Sequence, residues 1–146
     1  IPRRTETLAS QAQASVSIPY GGYGLNDRFE PRNSADKSMQ FHNWWQCLGT
    51  EEWAQYEWDQ PMTLTEASVY WLELGHYDID FQLPVSWRLE YKAGEKWLPV
   101  KNTDPYEIAK DKYCTVHFQP VRTKALRLTA QLQEGKSAGI LEWKVR

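Results

Sequence analysis

The stretch His42-Asn43-Trp44-Trp45 places two planar polar side chains directly before two indoles. That combination suits a neutral sugar. The C–H face of a sugar ring lies against an aromatic ring, and its hydroxyls bond planar amides, carboxylates, guanidinium groups or imidazoles. Two further stretches carry the same mixture. One is Arg32-Asn33, within a polar run from residue 25 to 40. The other is His76-Tyr77-Asp78, with Asp80 close behind. Against this stands plain core packing of Trp44 and Trp45. We expect one of the two indoles to be buried and the other more exposed.

Asn26, Asp27, Glu30, Asn33, Ser34 and Asp36 are hard oxygen donors within one polar run. They have the chemistry Ca²⁺ takes, although not the spacing of an EF-hand. The competing reading is a solvated loop with Asx turns. Other chemistry is sparse. His42, His76 and His117 have no metal-binding spacing, and no phosphate loop or G-x-S-x-G elbow occurs. Carboxylate pairs such as Glu51/Glu52 and Asp78/Asp80 are expected by chance among 19 acidic residues, so we assign no catalytic residue. Cys47 and Cys114 are far apart, and a bridge between them stays open. The net charge of −2 gives no reason to expect a nucleic-acid or membrane partner. No apolar run is long enough to span a bilayer. Because the chain starts at Ile1, we read it as a processed product or a piece of a longer protein.

The elements that must hold these residues are strands. Residues 1–10 lack periodicity and read as a linker or lead-in strand, leaving residues 11–146 as one domain. Ala12, Ala14, Val16 and Ile18 alternate with polar residues. The glycines of Tyr20-Gly21-Gly22-Tyr23-Gly24 then break the pattern. Over Trp53–Trp58 the set Ala54, Tyr56 and Trp58 makes the better core face, and Asp59-Gln60-Pro61 is expected to end that strand. Ala67, Val69 and Trp71 share a face. Trp87, Leu89 and Tyr91 alternate with Arg88, Glu90 and Lys92, and Ala93-Gly94-Glu95 turns the chain into Lys96–Val100 as a hairpin. Separate strands follow at Tyr113–Val121, with Cys114, Val116 and Phe118 inward, and around Leu126, Leu128, Ala130 and Leu132. In the final strand Leu141, Trp143 and Val145 face one way and Glu142 the other. Eight or so short strands without a helix predict an all-β, antiparallel sandwich.

The ordered series resembles a known family. Asn26-Asp27 lies in a loop, followed by Asn-Trp-Trp and then Glu-Trp-Ala-Gln-Tyr-Glu-Trp. After these come Val-Tyr-Trp, Ser-Trp-Arg-Leu-Glu-Tyr, Lys-Trp-Leu-Pro-Val, Thr-Lys-Ala-Leu-Arg-Leu and Ile-Leu-Glu-Trp-Lys-Val. Over residues 11–146 this is similar to the discoidin-like (coagulation-factor type C) domain, a galactose-binding-like jelly-roll sandwich. The version here looks like domains appended to bacterial polysaccharide-degrading glycosidases, the β-L-arabinofuranosidase-like class in particular. The resemblance implies binding loops at one end of the sandwich. It also implies a structural calcium held by Asp27, Glu142 and backbone carbonyls near Leu25. Arg127 matches an arginine that pairs with a carboxylate or carbonyl rather than with a ligand. Two departures stand out: the family's Asp-Gly-Asn is Asp27-Arg28-Phe29 here, and a long insertion follows.

These readings lead to a non-catalytic carbohydrate-binding module of a secreted or periplasmic glycoside hydrolase. It would bind an oligo- or polysaccharide through Arg32, His42, Asn43, Trp44, Trp45, His76, Tyr77 and Asp78, beside a parent catalytic domain. The alternative is a structural accessory domain that packs on that parent without binding sugar.

Overall fold

The computed structural model describes residues 6–76 and 79–146, with the side chains of His76 and Ile79 also outside the description. Among the described residues nine strands run in order: β1 (Gln13–Val16), β2 (His42–Asn43), β3 (Glu51–Leu72), β4 (Leu74–His76), β5 (Ile79–Phe81), β6 (Ser86–Ala93), β7 (Lys96–Pro99), β8 (Tyr113–Gln131) and β9 (Gly139–Val145). All strand pairs are antiparallel, and no helix occurs among the described residues.

Two long strands build both layers of the sandwich. The first half of β3 pairs with β1 and with the end of β8, which continues to β6 and β7. The second half of β3 pairs with the start of β8 and with β9, which continues to β2. The ladder between β3 and β8 breaks register between Glu57 and Met62 and again between Leu64 and Glu66. There the chain bends from one layer into the other. The expectation that Asp59-Gln60-Pro61 ends a strand is therefore corrected. Pro61 sits in the register break, where no ladder donor is required, so the strand bends and continues. Likewise the segments at Tyr113–Val121 and around Leu126 form one strand.

The alternating apolar sets meet between the layers. Ala54, Tyr56, Trp58, Ala67, Val69, Trp71, Trp87, Leu89, Cys114, Val116, Phe118, Leu126, Leu128 and Trp143 form one buried cluster. Aromatic contacts cross the gap. Tyr56 stacks on Trp143 at 3.9 Å, and Trp71 meets Trp87 edge-on at 5.7 Å. Such pairs add about 0.5–1.5 kcal/mol beyond the area they bury. Cys47 and Cys114 are free thiols.

β9 departs from simple alternation. Tyr70 faces Glu142 while Trp71 faces Ile140, so Leu141 is an extra residue in a bulge. Ile140, Trp143 and Val145 then reach the main core, whereas Leu141 joins a second cluster with Tyr70, Leu72 and Phe81. This corrects the grouping of Leu141 with Trp143 and Val145. The bulge shifts the parity of the strand by one residue.

The second cluster exists because the polar run from residue 25 to 40 crosses the outer face of β9. Leu25 O accepts the Trp143 N–H at 2.8 Å, Glu73 N donates to Ser34 O at 2.9 Å, and Ser34 N donates to Asp111 Oδ1 at 2.8 Å. Glu30 accepts the Tyr113 hydroxyl at 2.7 Å and lies 2.6 Å from Lys144 Nζ. Met39, near the end of the run, and Phe41, just after it, pack against this cluster. At the start of the chain, Thr7–Ala12 makes a hydrogen-bonded turn that buries Ala9, and Leu8 O accepts the Trp58 indole N–H at 2.7 Å.

Candidate functional site

Three connections between the layers reach the same end of the sandwich. They are residues 44–50 between β2 and β3, the described residues 73–76 and 79–85 between β3 and β6, and residues 132–138 between β8 and β9. The ladders require this, since Glu51 and Ser86 both face Gln131 and Leu72 faces Gly139. Backbone bonds tie the three together. Gly49 N donates to Lys136 O at 3.1 Å, Gln82 N to Ser137 O at 3.0 Å, and Ser137 N to Asp80 O at 3.2 Å.

The double-tryptophan segment divides at this end. Trp44 is fully buried, and its indole N–H donates to Trp53 O at 3.2 Å. Trp45 is less buried than Trp44; it packs on the second cluster, meeting Phe81 edge-on at 6.5 Å, and keeps part of its ring open to solvent. His42 lies in β2, paired with Ile140, and is 1% exposed. Its Nδ1 accepts the Gly22 N–H at 2.9 Å, and its ring stands edge-on to Trp44 at 4.6 Å. Burial lowers its pKa to about 4, so it is neutral at physiological pH. His42 and Trp44 are thus corrected from sugar contacts to core residues, because short β2 turns both inward as it adds to β9. Asn43 is half-buried, and its Oδ1 accepts the Trp45 N–H at 3.1 Å, which fixes the approach to Trp45. Arg32 pairs with Asp36 at 3.3 Å, on a loop tied to Glu73 and Asp111. No described contact joins Arg32 to Trp45. Tyr77 and Asp78 fall outside the described residues, as does the side chain of His76, whose backbone pairs with Ile79.

The structure gives Asp80, already noted beside Asp78, two partners that the sequence did not mark, Gln82 and Lys136. The Asp80 carboxylate accepts hydrogen bonds from Lys136 Nζ and Gln82 Nε2. Lys136, then Gln82, hold its pKa below the usual carboxylate range, so it remains an acceptor. Gln82 and Lys136 come from separate loops, and no local motif marks them. Tyr20 and Tyr23 are 65% and 67% exposed on a backbone that is held from below. Gly22 bonds His42, and Gly24, at φ +80°, lies so close to Gln40 that a Cβ would come within 2.5 Å of the Gln40 carbonyl oxygen. The signal available was two tyrosines flanking glycines, which read only as a strand break.

Asp27 and Glu142 also come together, by a hydrogen bond between their carboxyl groups. Glu142 is 1% exposed; its Oε2 accepts the Arg28 N–H at 3.1 Å, while its Oε1 is buried without a partner. Burial, and then the Asp27 carboxyl, push Glu142 up to about 10. Two carboxyls with an orphaned buried oxygen fit a hard cation in donor chemistry. The carbonyl of Leu25 accepts the Trp143 N–H, and the Tyr56 hydroxyl lies between two acceptors, 3.0 Å from Leu25 O and 2.8 Å from Trp143 O. Among the described residues, no group of three or more His, Cys, Asp or Glu is placed to hold a metal. Arg127 bonds the Gln55 amide oxygen at 2.9 and 2.7 Å and lies between the Trp53 and Trp97 rings, at 4.3 and 4.4 Å.

No family model matches the chain. Solved structures do. A chain from the structure of the Streptococcus pneumoniae β-galactosidase BgaA matches with a TM-score of 0.74 at 18% identity, covering 98% of this chain and 94% of that one. The two share an antiparallel β-sandwich fold. Chitosan-binding module 2 of a Paenibacillus chitosanase/glucanase, in complex with chitotriose, matches at 0.58 and 14% identity, over 95% and 98% of the two chains. A Ruminococcus gnavus GH29 fucosidase, in complex with fucose, matches at 0.64 and 13% identity; the sandwich covers 96% of this chain and 26% of that one. The sandwich is thus similar to nearly the whole of one carbohydrate-binding module and to about a quarter of a larger fucosidase chain.

Proposed function

We propose that this chain is a non-catalytic carbohydrate-binding module of a secreted or periplasmic glycoside hydrolase, and that it binds glycan at the loop end. The observation that carries this is Trp45. It is partly buried against the second cluster at the junction of three loops, braced by Phe81 and with part of its ring open to solvent, and the Asp80–Gln82–Lys136 hydrogen-bonded group lies on the adjoining hairpin and loop. Trp45 supplies the stacking face, and Asp80 with its partners supplies planar polar groups for hydroxyls. Tyr20 and Tyr23 extend the aromatic surface on a fixed backbone. Support from outside the chain is a shared fold with a chitosan-binding module and with glycosidase chains. We assign a structural Ca²⁺ to Asp27 and Glu142, where its charge would meet the orphaned carboxylate oxygen and fix the covering loop to β9.

Calorimetric titration with a panel of neutral plant and microbial oligosaccharides tests the reading, using wild type and Trp45→Ala. Weak binding that Trp45→Ala removes supports it. A folded chain that binds no member of the panel overturns it in favour of a structural domain packed on the parent enzyme.

A further inference from the structure

At the end of the sandwich opposite the loops, the bends of β3 and β8 and the β6–β7 hairpin border an open cleft of about 510 Å³. That volume is large enough for a small saccharide. Its lining falls into two parts. Trp58, Pro61, Gly94 and Ala125 give an apolar floor, while Lys92, Arg122 and Lys124 stand around it. None of the three cations is in an ion pair with a described residue. Arg122 reaches only the Thr63 hydroxyl, at 3.3 Å, and Lys92 lies 5.3 Å from the centre of the Trp97 ring. The one acidic residue in the lining, Glu57, accepts a hydrogen bond from Gln55 Nε2.

The cleft therefore carries a local positive excess on a chain whose net charge is −2. Exposed like charges brought together without counter-charges repel one another, and an anion relieves that repulsion. The apolar floor adds a requirement that a bare inorganic anion does not meet: the ligand must also present a C–H face. We infer that this cleft is a second binding site, separate from the loop end, for an acidic saccharide carrying carboxylate or sulfate groups. Lys92, Arg122 and Lys124 bind the acid groups, and the floor of Trp58, Pro61 and Ala125 receives the sugar ring. Lysine and arginine contacts of this kind are charge-assisted and weaken as salt rises.

The 146-residue chain is titrated at low salt with three short oligosaccharides: an oligogalacturonate, a sulfated oligomer and a neutral oligomer of the same length. The expected result is that at least one acidic oligomer binds about tenfold more tightly than the neutral one. The double variant Arg122→Ala/Lys124→Ala should lose about tenfold of that affinity, with an unchanged melting temperature because both side chains are exposed. Which acidic oligomer binds tells carboxylate from sulfate. Trp45→Ala should leave acidic binding intact, which separates this site from the loop end. Equal affinity for neutral and acidic oligomers overturns the inference. So does full binding by the double variant, or loss of acidic binding in Trp45→Ala. Binding of an acidic peptide as tightly as the acidic oligomers would also overturn it, because the apolar floor would then contribute nothing.

Discussion

Replacing Glu142 by glutamine should make the metal-free protein more stable, and increasingly so as the pH rises. In the folded chain Glu142 titrates at about 10, against 4.5 as a free side chain, because it is buried and faces Asp27. Between these values the folded state holds a proton that the unfolded state has released. Stability therefore falls with rising pH, by about 1.4 kcal/mol per unit. From 4.5 to pH 7 that amounts to about 3 kcal/mol, a large fraction of the stability of an ordinary domain. Glutamine keeps the size and the acceptor for the Arg28 N–H but has no proton to lose, so Glu142→Gln removes the slope. Calcium should reverse the order: the cation takes the place of the proton in wild type, and its binding tightens with pH. Urea unfolding of both proteins from pH 5 to 9, with chelator and with Ca²⁺, measures all of this. With chelator, the variant should exceed wild type by a margin that grows with pH. Equal pH slopes for the two proteins would refute the reasoning about Glu142. Failure of Ca²⁺ to favour wild type would remove the cation assignment alone.

Trp44→Ala should cost about 3–5 kcal/mol in denaturant unfolding, whereas Trp45→Ala should cost much less and weaken glycan binding about tenfold in calorimetry. Protonation of His42 opposes folding, since burial lowers its pKa to about 4; its contribution to stability is present above 6.5 and is lost as pH falls toward 4, and NMR should place its titration near 4. His117 goes the other way. Its Nδ1 lies 2.6 Å from Asp104 and its Nε2 3.0 Å from Glu66, and the Asp104 hydrogen bond raises its pKa. Its contribution is complete below 6.5 and fades as pH rises through the raised value, so its NMR titration should lie above 6.5 and fall back in Asp104→Asn. Arg127→Ala should destabilise by about 1–2 kcal/mol, because two indoles lose the guanidinium between them; thermal melts report it.

Alternation was a reliable guide wherever a strand kept one pairing. Ala54, Tyr56 and Trp58, and later Trp87 and Leu89, face the core as their period demands. It failed where pairing changed along the strand. Nothing local at Asp59-Gln60-Pro61 distinguishes a strand end from a bend, since Pro61 suits either, and only the distant β8 partner decides. The bulge at Leu141 is likewise set by its opposite residues, Tyr70 and Trp71. At the loop end the composition of His42–Trp45 pointed to a binding surface, yet two of its four residues are core. The reason is non-local: β2 adds to β9 and takes His42 and Trp44 inward. For the same reason Gln82 and Lys136, which complete the group around Asp80, carried no signal in sequence. The pairing of Asp27 with Glu142 came from the family resemblance, not from residue spacing.

β3 and β8 each belong to both layers, and this governs how the domain forms and fails. Neither layer can be separated from the other without cutting a strand, so an isolated half would have no complete sheet to adopt. The ladder closes residue 51 on residue 131 and residue 70 on residue 113, which is dominated by distant contacts and implies slow folding, on the millisecond-to-second scale of β-sandwiches. Once closed, it couples the loop end mechanically to the opposite cleft through two continuous backbones. The protein should therefore unfold as one body, and a load applied between its two ends would be carried along covalent chains rather than across a packed seam.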